Sequence, residues 1–209
     1  MNLAKYIDYT LLKATATPAQ IEKLCQEARQ YGFFSVCVNS SYVPLASQLL
    51  KGTDVKVCTV VGFPLGAMST QGKLYETSTA LTEGADEIDM VINLGLFLSG
   101  RTAKVLDEIA LLKQETADKV LKVIIETCYL NDDQKRLASQ ICVDAGADFV
   151  KTSTGFGTGG ATLADVQLIK EVVGDRAKIK ASGGIRNRET ALQYIDLGVS
   201  RIGASAILV

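Results

Sequence analysis

The segment GADEIDMV at residues 84–91 indicates the architecture, because it recurs as GADFVKTS at residues 146–153. A looser copy, GVSRIGAS, follows at residues 198–205. In each copy a glycine comes just past a segment with helical periodicity, and the residues behind it have the apolar composition of a buried strand. Because this connector between a helix and a strand is repeated along the chain, it predicts an architecture built from similar βα units.

Eight apolar runs rich in β-branched residues are candidate strands, and they are continuous rather than strictly alternating, as in parallel strands covered by helices. They lie at residues 6–12, 33–39, 55–63, 87–93, 121–127, 149–153, 177–182 and 200–205. Segments with helical periodicity lie between them, at residues 18–31, 42–50, 71–83, 103–116, 132–145, 163–173 and 188–197. The pattern predicts an α/β protein, a (β/α)8 TIM barrel that occupies residues 1–209 as a single domain.

The main rival architecture is a doubly wound open sheet, which favours a glycine fingerprint after the first strand. Residues 6–17, YIDYTLLKATAT, contain no glycine. The sequence ends a few residues after the eighth strand, so we expect an incomplete eighth outer helix, with the N-terminal residues or a partner subunit covering the gap. Only three prolines occur and no low-complexity stretch interrupts the series, so we expect no linker.

The composition excludes several classes of function. Twenty-two basic and 23 acidic residues leave the 209-residue chain nearly neutral, unlike a nucleic-acid-binding protein. No basic–apolar leader and no run of about 18 apolar residues occurs, so we expect a cytoplasmic protein without a membrane span. The five cysteines form no CxxC pair, which argues against a zinc ribbon or a disulfide framework.

The absence of histidine narrows the chemistry further. Without imidazole the chain cannot build a Ser-His-Asp triad, a Cys-His pair or a histidine-ligated zinc site. Chemistry near pH 7 must then use a carboxylate or a perturbed lysine, cysteine or tyrosine.

Three ionic residues interrupt apolar runs near the ends of strands, where a parallel barrel places its active site. Asp89 lies in EIDMVIN, Lys151 in DFVKTSTGFGTGG and Lys180 in AKIKASGGIR. Because side chains alternate between the faces of a strand, Lys151 and Lys180 are expected to point into the barrel as neighbours on strands six and seven.

Two lysines in one cavity predict Schiff-base chemistry. Two ammonium groups repel each other and are poorly solvated there, which lowers the pKa of the lysine that sheds its proton. A partly neutral amine attacks carbonyl carbon. Asp89 is expected to keep one lysine charged or to move protons through a water molecule. The alternative is structural, because strand lysines commonly lie at a rim or pair with a carboxylate.

The loops after strands six, seven and eight are rich in glycine: STGFGTGG at 153–160, SGGIR at 182–186 and GASA at 203–206. Glycine lets backbone N–H groups approach an anion, and the helices that follow add their positive N-terminal ends. A phosphate site in the last loops recurs in barrels, so these loops predict a bound phosphate, with Arg186 as a supplement. The alternative is that the glycines serve tight turns alone.

Weaker candidates lie near other strand ends. Asp8 and Thr10 are expected to orient groups at the first strand, and Glu126 comes at the end of the fifth. The strand cysteines Cys37, Cys58 and Cys128 are expected to be small buried side chains rather than nucleophiles.

Eight segments together resemble the short bacterial type of deoxyribose-phosphate aldolase. They occur in order across nearly the whole chain: IDYTLLK, VCVN, GFPLGA, GADEIDMVIN, KVIIETC, GADFVKTSTGFGTGGAT, KASGGIR and RIGAS. The resemblance implies a (β/α)8 barrel and a class I, metal-independent aldolase without a cofactor. It implies reversible cleavage of 2-deoxy-D-ribose 5-phosphate to acetaldehyde and D-glyceraldehyde 3-phosphate.

The same resemblance implies roles for individual residues. Lys151 corresponds to the lysine that forms the Schiff base, Lys180 to the second lysine, whose charge lowers the pKa of the first, and Asp89 to the carboxylate that shuttles protons. The phosphate cradle would consist of Gly155, Gly183, Gly184, Gly203 and Ser205, with Arg186 nearby. Small aldehydes and a sugar phosphate are the implied partners, and a homodimer is common in the family.

The chain departs from the family pattern at a few positions. Short members usually read IDHTLLKP, VNPSYV and GASSG, where this chain has Tyr9, Ala14, Ser40 and Ala206. Ala206 removes one hydroxyl from the phosphate loop, and this sequence shows no C-terminal tail with the tyrosine that reaches the active site in some members. Two rival functions stay open: a Schiff-base aldolase for another sugar phosphate, and a catalytically lapsed barrel that binds phosphosugars.

Overall fold

The computed structural model describes residues 2–206, in which eight parallel strands close into a barrel. Each strand pairs with the next along the chain, and the last returns to the first. The strands are β1 (Ile7–Leu11), β2 (Ser35–Val38), β3 (Lys56–Val61), β4 (Glu87–Val91), β5 (Val120–Ile124), β6 (Phe149–Lys151), β7 (Lys178–Ser182) and β8 (Arg201–Ala204). The predicted (β/α)8 TIM barrel is confirmed, and each predicted strand overlaps one observed strand.

Helices follow β1 to β7 and cover the outside of the barrel. They are α1 (Pro18–Tyr31), α2 (Val43–Leu50), α3 (Thr70–Thr82), α4 (Leu94–Leu98), α5 (Thr102–Thr116), α6 (Asp132–Asp144), α7 (Leu163–Val173) and α8 (Arg188–Asp196). The seven predicted helices agree with the observed ones to within one residue at either end. The short α4 was not predicted, because five residues are too few to show a helical period.

Local sequence explains why the helices begin where they do. The side chains of Ser69, Asn131, Thr162 and Asn187 each accept a hydrogen bond from an N–H group in the first turn of α3, α6, α7 and α8. These residue types are preferred at the N-cap because they satisfy N–H groups that have no partner within the helix.

The part of the chain after β8 reaches the end of the described residues. A short 3-10 helix, Leu3–Tyr6, precedes β1, and no helix follows β8 before Ala206, the last residue described. The predicted incomplete eighth helix therefore falls on residues 207–209, outside the described part of the chain. Among residues 2–206 no helix is long and apolar enough to cross a membrane.

The barrel interior differs from the layer outside it. Between strands and helices the core is apolar, whereas the interior contains most of the buried ionic side chains. Inward-pointing residues come from alternate strands in successive layers. From bottom to top the layers are Ser35, Glu87, Phe149 and Arg201, then Asp8, Cys58, Lys122 and Lys180, then Cys37, Asp89, Lys151 and Gly203.

Candidate active site

Asp89 is the centre of a cluster of buried amines. Its Oδ2 atom accepts hydrogen bonds from Lys151 Nζ at 2.7 Å and from Lys180 Nζ at 2.8 Å. Its Oδ1 atom accepts from Lys122 Nζ at 2.9 Å and lies 3.2 Å from Cys58 Sγ. The structure thus brings together the three residues proposed from sequence and adds a third lysine.

Strand register explains the meeting of the two predicted lysines. Lys151 is paired with Lys180 across β6 and β7, so both side chains point to the inner face of the barrel, with Lys180 one layer below Lys151. Asp89 on β4 is separated from β6 only by β5, and alternate strands contribute the side chains of one layer. Asp89 and Lys151 therefore occupy the same layer.

A second set of ion pairs lies beneath this cluster. Asp8 lies 2.5 Å from Lys180 Nζ through Oδ2, and its Oδ1 atom accepts hydrogen bonds from Ser35 and Arg201, each at 2.7 Å. Arg201 also makes two bonds of 3.0 Å to Glu87. Asp8 of the middle layer and Glu87 of the bottom layer are therefore joined through Arg201, and Asp8 joins both to Lys180.

Lys122 connects the two sets. Its Nζ atom lies 2.5 Å from Glu87 Oε2 as well as 2.9 Å from Asp89. Sequence reasoning missed Lys122, Glu87 and Arg201, although a lysine within the apolar run KVLKVII is the same kind of signal that identified Lys151.

The network sets the charge of its members. Burial disfavours the charged form of Lys180, but the nearby carboxylates of Asp8 and Asp89 outweigh burial and raise the pKa of Lys180 above its usual value. Burial likewise disfavours the Asp89 anion, but the ammonium groups of Lys122, Lys151 and Lys180 hold the pKa of Asp89 well below its usual range. Lys180 and Asp89 are thus a stable cation and a stable anion near pH 7.

The barrel interior contains more cationic than anionic side chains. Four are cationic and three anionic: Lys122, Lys151, Lys180 and Arg201 against Asp8, Glu87 and Asp89. Lys151 has Asp89 as its ion-pair partner in the described residues, and it shares this partner with Lys180 and Lys122. A neutral Lys151 amine would therefore leave each carboxylate with a cation.

A cavity of about 300 Å³ opens above the cluster at the carboxyl ends of the strands. Lys151 lines it, whereas Lys180 and Asp89 are fully buried beneath. All six residues predicted to bind phosphate also line it: Gly155, Gly183, Gly184, Arg186, Gly203 and Ser205. One cavity thus contains the predicted nucleophile and the predicted anion cradle.

Glycine is required in the loops of this cavity. Gly155, Gly183 and Gly184 have φ angles of 85°, 87° and 80°, in the left-handed region that side chains with a Cβ avoid. The sequence predicted that N–H groups at the starts of the following helices would also bind the anion. Thr162 and Asn187, however, already accept hydrogen bonds from the first turns of α7 and α8. Backbone N–H groups of the loops and Arg186 are therefore the donors best placed for an anion.

Two groups of three potential metal ligands occur in the barrel interior, Cys37–Cys58–Asp89 and Asp8–Cys58–Glu87. In both groups the carboxylates already bind Lys122, Lys180 or Arg201. The ammonium and guanidinium groups thus occupy the place that a metal cation would take.

Tyr9, the departure from the family histidine, lies outside this site. Its hydroxyl donates to Glu27 Oε2 of α1 at 2.9 Å, and its ring packs on Phe33 with centroids 5.1 Å apart. Burial and the neighbouring Glu27 raise the pKa of Tyr9 to about 12. Tyr9 therefore belongs to the layer between strand and helix.

Comparison with known proteins gives the chain its family. The family model described as DeoC/LacD family aldolase matches residues 3–208. A deoxyribose-phosphate aldolase of Carboxydothermus hydrogenoformans is 57% identical over 209 residues, covering 98% of this chain and 92% of that protein.

Solved structures show the same likeness. The aldolase QR15 superposes with a TM-score of 0.94 at 45% identity, covering 97% of this chain and 91% of the other. The deoxyribose phosphate aldolase from Aeropyrum pernix, described as tetrameric, gives a TM-score of 0.89 at 36% identity, covering 97% and 86%. The chain belongs to the DeoC/LacD family of aldolases.

Proposed function

We propose that this protein is a class I aldolase that reversibly cleaves 2-deoxy-D-ribose 5-phosphate to acetaldehyde and D-glyceraldehyde 3-phosphate. The relatives named deoxyribose-phosphate aldolase support this substrate. The observation that carries the proposal is the position of Lys151, which lines the cavity while its Nζ atom lies 2.7 Å from buried Asp89. An amine at the floor of a cavity with an anion cradle at its mouth suits a phosphorylated aldehyde.

The reaction begins with Lys151. Its neutral amine attacks the carbonyl carbon C1 of the open-chain sugar, and loss of water from the carbinolamine gives a protonated imine. The C3 hydroxyl then gives its proton to Asp89 through a water molecule, the C2–C3 bond breaks, and its electron pair enters the imine to form an enamine, while C3 leaves as the carbonyl carbon of D-glyceraldehyde 3-phosphate. Protonation of the enamine at C2 and hydrolysis release acetaldehyde and restore the amine.

Asp89 and Lys180 serve the proton transfers. Asp89 Oδ2 contacts both amines, so a proton can pass between Lys151 and Asp89 directly or through a water molecule while Lys180 orients the carboxylate. Lys180 stays charged because Asp8 and Asp89 surround it. Its ammonium group and the Lys151 amine share Asp89 Oδ2 as their hydrogen-bond acceptor.

Phosphate recognition is assigned to the three glycine-rich loops. Gly155, Gly183, Gly184, Gly203 and Ser205 would present backbone and hydroxyl donors, and Arg186 a guanidinium group, to the phosphate. Since the imine itself accepts the electron pair, the proposed reaction uses no cofactor and no metal. Activity insensitive to EDTA would support this, and loss of activity on chelation would contradict it.

The decisive experiment is chemical trapping. The protein is incubated with acetaldehyde and reduced with borohydride, and the added ethyl group is located by peptide mapping. We expect the adduct on Lys151. No adduct, or an adduct on another lysine, contradicts the mechanism and favours a catalytically lapsed barrel or a different amine.

We also propose a cytoplasmic homodimer. All five cysteines are free, as expected in a reducing compartment. Light scattering tests the assembly, and the tetramer described for the Aeropyrum pernix enzyme is the outcome that would replace the dimer.

A further inference from the structure

The backbone beside the strand of Lys151 contains one extra residue, Glu126. Ile125 N–H donates to Lys151 O at 3.1 Å, and Thr127 N–H donates to Thr152 O at 3.0 Å. Two consecutive carbonyls thus receive N–H groups that are two residues apart, and Glu126 bulges between them. Bulges of this kind re-aim a side chain and are frequent next to active sites.

Glu126 is strained as well as displaced. Its φ and ψ angles are 51° and 69°, the left-handed region, which is unfavourable for a residue with a Cβ. Such strain persists only where the surrounding structure enforces it, and it concentrates at functional sites. The Glu126 side chain is 2% exposed and lies beneath the loop that follows β6.

The Glu126 carboxylate binds one residue of the cavity wall twice. Oε1 accepts a hydrogen bond from Thr154 N–H at 3.1 Å, and Oε2 accepts one from the Thr154 hydroxyl. Thr154 Oγ1 in turn accepts from Phe156 N–H at 3.0 Å. Both Thr154 and Phe156 line the cavity above Lys151. Among residues 2–206 no lysine or arginine forms an ion pair with Glu126, so its carboxylate is held by the hydrogen bonds from Thr154.

Packing keeps this arrangement in place. A Cβ atom added to Gly157 would lie 2.8 Å from Cys128 Sγ and 3.3 Å from Glu126 Cδ. The loop after β6 therefore packs directly on Glu126, and a residue larger than glycine at position 157 would prevent this contact.

These bonds fix the direction of the Thr154 hydroxyl. A hydroxyl has one proton to donate and two lone pairs to accept with. Its proton is directed to Glu126 and one lone pair is used by Phe156, so a single lone pair is left for the cavity.

We propose that Glu126 is a positioning residue that sets specificity through Thr154. It makes Thr154 Oγ1 an obligatory hydrogen-bond acceptor at the cavity wall, and the site thereby selects aldehydes whose own hydroxyl donates to it. This inference rests on the proposed aldolase function, with the hydroxyl belonging to the aldehyde that receives the enamine.

The test compares two acceptor aldehydes that differ by one hydroxyl, 2-hydroxypropanal and propanal, with acetaldehyde as donor. We expect the wild type to favour 2-hydroxypropanal in kcat/KM. In Glu126→Gln the amide can donate to Thr154 Oγ1 and free its proton, so the preference should fall about tenfold. Thr154→Ser should keep the preference, and Thr154→Val should lose it.

A structural role alone predicts a different result. If Glu126→Gln and Thr154→Val slow both aldehydes equally and leave the ratio unchanged, the inference is overturned. Borohydride trapping of acetaldehyde on Glu126→Gln checks that the site is assembled, and if this variant fails to trap, the Thr154→Ser and Thr154→Val ratios decide. A wild type that traps acetaldehyde but shows no preference overturns the inference alone, whereas one that traps nothing overturns the proposed function with it.

Discussion

Lys180 Nζ lies 2.5 Å from Asp8 Oδ2 in the interior of the barrel, and both residues are fully buried. They lie on β7 and β1, which do not pair, because β8 runs between them. The contact exists because closure of the barrel places the side chains of alternate strands in one layer. Asp8 thus supports the charge of the second lysine from within its own layer, while Asp89 contacts it from the layer above.

Asp8→Asn should shift the pH dependence of the reaction. Burial favours neutral Lys180 and the two carboxylates oppose burial, so loss of the Asp8 charge lowers the pKa of Lys180. Because the proposed mechanism needs Lys180 protonated, activity should be lost at lower pH than in the wild type. The measurement is the basic limb of the kcat/KM profile, and an unmoved limb would show that Asp8 does not support this charge.

Lys151→Leu should abolish turnover while the protein stays folded. Removal of the amine removes the nucleophile, and the remaining interior cations equal the carboxylates in number. Turnover, borohydride trapping and thermal unfolding measure these effects. Lys178→Leu is the matched control, because Lys178 lies on β7 but is exposed, and it should keep both turnover and trapping. Residual turnover by Lys151→Leu would assign the imine to another amine.

Lys122→Met should destabilise the fold by about 3 kcal/mol, the order expected when one partner of a buried ion pair is removed. The change removes the Lys122 ammonium group, which lies 2.5 Å from Glu87 Oε2 and 2.9 Å from Asp89 Oδ1. Urea unfolding gives the free energy. The control is Lys23→Met, where an exposed lysine lies 3.8 Å from Glu27 and little change is expected. Equal stability of the two variants would argue that the interior repacks without Lys122.

Arg186→Ala should weaken binding of the phosphorylated substrate alone. Arg186 lines the cavity beside the glycine loops, and loss of a charge-assisted bond to phosphate corresponds to roughly a tenfold rise in KM. The KM for unphosphorylated 2-deoxyribose should not change. Arg188→Ala, at the start of α8 and outside the cavity lining, is the control. A parallel rise for both sugars would refute phosphate recognition by Arg186.

Tyr9 variants should change stability rather than catalysis. Tyr9→Phe removes the hydrogen bond to Glu27 and should cost about 1 kcal/mol. Tyr9→His, the reversion toward the family pattern, also removes ring packing on Phe33 and should cost more. Neither should alter kcat, because Tyr9 faces α1. Thermal unfolding and kcat are the measurements, and a higher kcat in Tyr9→His would place this position in the active site.

Much of the site could be read from the sequence because its signals are local. Lys151 and Lys180 interrupt apolar strands one unit apart, and glycine clusters follow both. In a parallel barrel such positions reach one end of the sheet whatever the other strands contain. Their pairing could therefore be predicted before the register was known, whereas their depth differs, because Lys180 lies one layer below Lys151.

The role of Glu126 could not be predicted from the sequence. Its role depends on one extra residue in the pairing of β5 with β6, and a bulge has no reliable pattern in a single sequence. Its position at the end of an apolar run made it a weak candidate, while its bonds to Thr154 appear only in the folded chain.

Periodicity and local backbone preference were enough to predict the repeating βα units, the helix boundaries and the lysine and glycine positions. Which charged side chains meet depends instead on how the barrel closes. Asp8 and Arg201 are 193 residues apart and bond because β8 closes on β1. Layers built from alternate strands then enclose the ionic side chains, and burial makes each cation depend on a carboxylate from a distant strand.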